Sequence, residues 1–200
     1  MFITLEGIDR SGKTTQAAML ARALGSGATL LREPGGTEAG ERVRSLLKDP
    51  AVELDAAAEL LLFCAARAEL CARVVRPALD ADRDVVCDRF TDSTLAYQGV
   101  ARGLGIGTVE ALNTIATAGC VPDLTVLLRL DPEEAERRGQ QRLGDGEDRF
   151  ESEGIDFQRR VAAAYDEIAA RNPERVAVVD AVGSESEVHG RVVELVEQRR

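Results

Sequence analysis

The chain opens on an apolar run, MFITLE, and passes directly into GIDRSGKTT, Gly7 to Thr15. A strand, a loop of the form GxxxxGK[ST] and then QAAMLARAL at helical spacing leave few folds open. Successive backbone N–H groups of such a loop, with the positive end of the helix behind it, cradle phosphate oxygens, and glycine lets the backbone close around them. Lys13 is then placed to reach the β- and γ-phosphates of a nucleoside triphosphate, and the Thr14 hydroxyl to hold Mg²⁺. Chance places this motif in roughly one or two chains per thousand of this composition. The chain has 25 basic residues, only two of them lysines, and one of the two stands here. An ammonium is a compact point charge that fits inside the loop, whereas a guanidinium is planar and wide.

Four more apolar, β-branched runs follow, ATLLRE, DVVCDRF, DLTVLLRL and RVAVVDAV, with amphipathic helical patterns between them. Five buried strands separated by helices predict an α/β fold with a parallel sheet and crossover helices. The segment from about Asp55 to Ala81 reads as a long, mostly buried helix that Pro77 kinks or breaks. Two shorter helices, around Ser93–Ala101 and Thr108–Ala118, flank the glycine-rich RGLGIG, and a last one runs from about Ser184 to Gln198 with His189 on its face. GDGEDRFESEG has too few apolar residues to pack and reads as the middle of a mobile lid between two helices. No linker or repeat divides the 200 residues, so one domain is expected over 1–200, with the lid at about 139–154.

A net charge of −10 disfavours long-range attraction to nucleic acid or anionic lipid, so phosphate binding must be local. The N-terminus has no signal-peptide pattern and no apolar run is long enough to cross a membrane, so a cytoplasmic protein is expected. Cys64, Cys71, Cys87 and Cys120 form no CxxC pair and have one histidine between them, which reads as buried thiols and not a metal site.

Asp88 and Arg89 close the run VVCDRF. An acid at a strand end can hold the Mg²⁺ shell beside the phosphate loop, and the arginine after it can clamp a second anion with two N–H groups. The NKxD element that reads guanine is absent, since the only asparagines are in NTIA and NPER.

FITLEGIDRSGKTTQ, REPGGTEAGERVR, LLFCAARAEL, DRFTDSTLAYQG, DRFE, DFQRRVAAAY and VVDA together resemble the bacterial thymidylate kinase family nearly end to end. The resemblance implies a three-layer P-loop nucleoside monophosphate kinase fold with sheet order 2-3-1-4-5. It implies transfer of the γ-phosphoryl of ATP to dTMP, in a Mg²⁺-dependent homodimer. Gly7, Ile8, Asp9, Arg10, Ser11, Gly12, Lys13, Thr14 and Thr15 would hold ATP, with Thr14 and Asp88 at the metal. Asp9 would accept from the sugar 3′-hydroxyl, Arg89 would grip the acceptor phosphate, Phe63 would stack on thymine and Arg67 donate to its carbonyl. Ser93, Thr94, Tyr97 and Gln98 would line the base and sugar pocket, with Tyr97 where a ribose 2′-hydroxyl would go. REPGGT would form a cleft loop that brings Pro34 to the acceptor, with Glu33–Pro34 a candidate cis bond. Arg142 and Arg149 would close over ATP as arginine fingers. Family members carry either a P-loop arginine or lid arginines; this chain has Arg10 and both lid arginines, and which of them acts stays open.

A phosphate monoester is already mostly a dianion at neutral pH, so this chemistry needs positioning and charge neutralisation but no general base. Two other readings compete: a deoxynucleoside kinase, which must deprotonate a 5′-hydroxyl, and a non-catalytic P-loop module that binds ATP to switch a partner. REPGGT with STLAYQG argues against the first, and the second has no use for Phe63, Arg67 and Tyr97 as a pocket.

Overall fold

The computed structural model describes residues 1–140, 149–150 and 153–200. The five apolar runs form strands β1 (Phe2–Glu6), β2 (Thr29–Arg32), β3 (Val85–Asp88), β4 (Leu124–Arg129) and β5 (Val176–Asp180). All pair in parallel in the order β2-β3-β1-β4-β5, as the family resemblance implies. The helices are α1 (Lys13–Leu24), α2 (Glu38–Lys48), α3 (Ala56–Leu70), α4 (Arg76–Asp80), α5 (Thr91–Thr94), α6 (Ile106–Thr117), α7 (Pro132–Gln140), α8 (Ile155–Arg171) and α9 (Glu185–Arg199).

Alternation along the strands builds two cores. Val86, Ile3 and Leu5 pack with Leu20 of α1, Val161 and Tyr165 of α8 and Val192 of α9 on one face. Val85, Cys87 and Phe2 pack with Leu70, Cys71 and Val75 on the other. All four thiols are buried and unpaired.

The helix around Pro77 neither breaks nor buries most of its surface. A π-helical stretch, Cys71–Val75, joins α3 to α4, and the Arg76 N–H reaches back five residues to the Cys71 carbonyl. Widening the turn there accommodates a proline that has no N–H to offer. One face of α3 is open, with Leu61 54% exposed, because the apolar content that reads as burial is spread around the whole helix. A second π-helical stretch, Leu95–Ala101, continues α5.

Leu5 stands in register with Asp88, so the carboxyl ends of β1 and β3 deliver the GIDRSGKTT loop and the Asp88–Arg89 pair side by side. Ligands of parallel sheets bind at this edge.

Candidate active site

Gly7 has φ 141°, and a Cβ there would stand 2.5 Å from the Leu128 carbonyl oxygen, so β1 can turn out beneath β4 only on glycine. Gly12, at φ 94°, caps α1 with no side chain on the helix end, which leaves its first N–H groups to an incoming anion. Arg10 (φ 64°) and Arg89 (φ 69°) are also held in left-handed backbone, and both line one cleft. Strain of this kind collects where function requires a fixed direction.

The cleft holds about 460 Å³. It gathers Asp9 to Thr15 from the loop, Pro34 after β2, Phe63 from α3, Asp88 and Arg89 after β3, and Ser93, Thr94, Tyr97 and Gln98 from α5 and the π-helical turn. Gly7 and Ile8 lie behind it and contribute carbonyls: Gly7 accepts from Arg89 Nη1 at 3.1 Å and Ile8 from Lys13 Nζ at 2.6 Å.

Lys13 is 6% exposed and also donates to Ser11 Oγ at 3.3 Å. Burial, and then the Arg89 charge, push its pKa down from 10.5 to about 8, against the pull of Asp9, Asp88 and Glu6. Thr14 Oγ1 donates to Asp88 Oδ2 at 2.5 Å, while Asp88 Oδ1 is buried with no partner among the described residues.

Arg89 is the centre of the acceptor side. Nη2 donates to Asp9 Oδ1 at 2.5 Å and to the Tyr97 hydroxyl at 3.2 Å, and Nη1 to Ser93 Oγ at 3.1 Å and the Tyr165 hydroxyl at 3.4 Å. Burial works to raise the Asp9 pKa, but Arg89, then Lys13, Gln158 and Tyr97 together hold it below its ordinary value. Beneath them the fully buried Glu6 accepts from the Phe90 N–H at 2.7 Å, Ser93 Oγ at 2.6 Å and the Tyr165 hydroxyl at 2.8 Å. Burial first, and then Asp92, raise its pKa to about 7.

Arg67 is placed differently from the sequence expectation. It is 1% exposed and lies behind the cleft wall. Nε binds Glu33, with which Nη2 also ion-pairs, Nη1 binds Thr94 and Asn113, and Nη2 reaches the Phe90 carbonyl, so the guanidinium makes four hydrogen bonds and a buried ion pair. Donation to a base carbonyl would need one of these bonds released or shared. In this arrangement Arg67 ties the Glu33–Pro34 turn, whose peptide is cis, to both ends of α5.

The arginines beside the lid separate. Arg10 lies against α7, where a Cβ on Gly139 would come within 2.6 Å of its Nε. Arg149 Nη2 donates to Glu59 Oε2 at 2.5 Å and Nε to the Leu47 carbonyl at 3.0 Å, which ties it to α3 and α2. Phe150 meets Phe63 edge-on with centroids 5.9 Å apart. Arg142 and most of the expected lid lie outside the described residues.

Several site residues escape the sequence reading. Arg44, Lys48 and Arg138 line the cleft, and Arg44 Nη1 donates to the Pro34 carbonyl at 3.0 Å. Gln158, from α8, donates to Asp9 Oδ2 at 3.1 Å. The signal for Lys48 was available, since it is the chain's other lysine and stands one helical turn beyond Arg44.

A family model described as thymidylate kinase matches residues 5–192. Thymidylate kinase of Desulfosudis oleivorans is 45% identical over 99% of this chain and 97% of that protein. That of Deinococcus radiodurans is 44% identical over 100% and 97%. The crystal structure of thymidylate kinase from Ehrlichia chaffeensis superposes with a TM-score of 0.79 at 36% identity, covering 98% of both chains. With a family model and relatives that match over nearly every residue, this chain belongs to the thymidylate kinase family.

Proposed function

We propose that the protein transfers the γ-phosphoryl of ATP to dTMP, giving dTDP and ADP, and that the cleft binds both nucleotides. The observation that carries this is the junction of Lys13 and Thr14 with the Arg89 cluster in one cavity. A loop built for a triphosphate faces a guanidinium built for a second phosphate.

Lys13 and the loop N–H groups bind and orient the donor phosphates. Arg89, oriented by Asp9, Ser93 and both tyrosines, receives the acceptor phosphate without having to be ordered at the moment of binding. Phe63 and Gln98 flank the space for a base, and Tyr97 lies between that space and Asp9, donating to Asp9 Oδ2 at 3.0 Å. Arg10, carried by the loop itself and lining the cleft, is our candidate for neutralising charge on the moving phosphoryl. Arg149, as docked on Glu59, belongs to the acceptor side.

Mg²⁺ fits the donor side on one count, the buried Asp88 Oδ1 that has no protein partner beside the Thr14 hydroxyl. Thr14 and Asp88 would hold it, and its chemistry there is neutralisation of β- and γ-phosphate charge.

A homodimer is the second part of the reading. Leu61 on α3, Ile115 on the adjoining α6 and Val121 after it are 54%, 75% and 63% exposed, an apolar surface suited to a second copy. We place the enzyme in the cytoplasm; among the described residues no helix is long and apolar enough to cross a membrane.

An acceptor panel tests the function. ADP release with ATP and Mg²⁺ is expected to be fast on dTMP and at background on thymidine or without acceptor. Turnover of thymidine alone would support a nucleoside kinase, and ATP binding with no turnover on any acceptor a regulatory module.

The Lys13 pKa gives a pH prediction. Raising pH through about 8 removes the Lys13 charge in the free enzyme, so kcat/KM for ATP is expected to be level near pH 7 and to fall about tenfold per unit above 8. At saturating ATP the bound phosphates keep the proton on Lys13, and kcat should show no such fall. A kcat/KM profile that stays level well above pH 8 would contradict the placement of this amine.

A further inference from the structure

Glu59 is a carboxylate sealed inside the protein beside the cleft, 1% exposed in the first turn of α3. Every side chain that meets it is a donor. Gln98 Nε2 donates to Oε1 at 2.7 Å, Arg102 reaches both oxygens at 3.3 and 3.4 Å, and Arg149 Nη2 donates to Oε2 at 2.5 Å. Gln98 is itself 1% exposed, lines the cleft, and its Oε1 accepts from no described protein group. That oxygen is not among the side-chain atoms closed off without a partner, so it opens to the cavity.

An amide side chain can be turned either way, and its neighbours decide which end faces a ligand. A carboxylate gripped by two guanidinium groups offers acceptors only, so it fixes the Gln98 NH₂ toward itself and the carbonyl oxygen toward the cleft. Phe63 stands one helical turn after Glu59 on the same face of α3, which puts the edge offered by Gln98 beside the ring that would cover a base.

We propose that Glu59 is a positioning residue for base choice: by holding Gln98 in this orientation it makes the cleft select a pyrimidine that carries N3–H over one whose N3 is an acceptor. The inference rests on the reading of the acceptor as dTMP and deepens it. Thymine and uracil donate from N3, and the Gln98 oxygen accepts. Cytosine turns a lone pair toward the same oxygen, and the two acceptors face each other with no proton between them. Arg102 and Arg149 hold Glu59 in place, so both arginines support base choice through it.

The test uses the full chain and kcat/KM for dTMP, dUMP and dCMP. In Glu59→Gln, residue 59 gains an NH₂ that can bind Gln98 Oε1, and Gln98 is free to turn its own NH₂ to the cleft. The dTMP-to-dCMP ratio is expected to fall about tenfold or more, while dTMP to dUMP, which share N3–H, should hold within about twofold. Gln98→Leu should lose the same selectivity, and adding Glu59→Gln to it should change the ratio no further. A merely structural role for Glu59 would lower all three substrates in parallel, and an unchanged dTMP-to-dCMP ratio in folded Glu59→Gln overturns the proposal. If that variant does not fold, a Gln98→Leu enzyme as selective as the wild type overturns it equally. Should the wild type turn over no dTMP at all, both this inference and the functional reading fall; if dTMP is turned over and only the ratio fails to move, the functional reading stands.

Discussion

Lys13→Ala is expected to lower kcat by about three orders of magnitude while the protein stays folded. The amine is a charged donor held inside the phosphate loop, bonded in the free protein to the Ile8 carbonyl and Ser11 Oγ. Its removal takes away stabilisation of the phosphoryl in flight, an effect of about 10² to 10³ for a single preorganised donor and larger for a charge. The cost to stability works in the opposite sense. The Lys13 pKa is depressed in the folded state, so the folded protein binds this proton less well than the unfolded chain. Below about pH 8 the charge is carried at a cost, which is relieved as pH rises from about 8 toward 10.5. Near neutrality the alanine variant should therefore melt no lower than the loss of a few apolar contacts implies. Steady-state turnover and a thermal melt measured together check this; near-normal kcat would sink the loop assignment.

Arg89→Ala is expected to raise KM for dTMP by about 100-fold or more and to destabilise the fold by about 1–3 kcal/mol. The two effects have one origin. The guanidinium bridges Asp9, Gly7, Ser93, Tyr97 and Tyr165, so its loss leaves Asp9 with only Tyr97 and Gln158 as hydrogen-bond donors among the described residues. Arg89→Lys should restore part of the stability and little of the affinity, since an ammonium cannot present two parallel donors. The split between KM and kcat decides the role: an unchanged KM for dTMP with reduced kcat would place Arg89 on the donor side.

The five strands were legible because both faces of a parallel sheet are buried, which turns each strand into an apolar run. Their order was not, since hydrophobic patterning says nothing of which strands pair; it came from the family resemblance. The phosphate loop was legible because backbone geometry dictates its glycines, as Gly7 shows against Leu128. Arg67 marks where the reading stops. Its spacing from Phe63 put both on one helix face, but helical spacing does not say whether a long side chain reaches the cleft or turns beneath it to Glu33 and Asn113. Glu59 was passed over for a related reason, as an acid in an apolar helix usually marks the solvent face. Its three partners come from the π-helical turn, the residue just beyond it and the DRFE segment, which no local pattern relates to α3. Pro77 does not end its helix, because a π-helical turn can absorb what a regular α-helix cannot.

The most direct test of the central claim follows the phosphoryl group itself. With γ-labelled ATP, Mg²⁺ and dTMP, label is expected in dTDP in equal amount to the ADP formed. Label in inorganic phosphate with dTMP unchanged, or in product only when thymidine replaces dTMP, would contradict it.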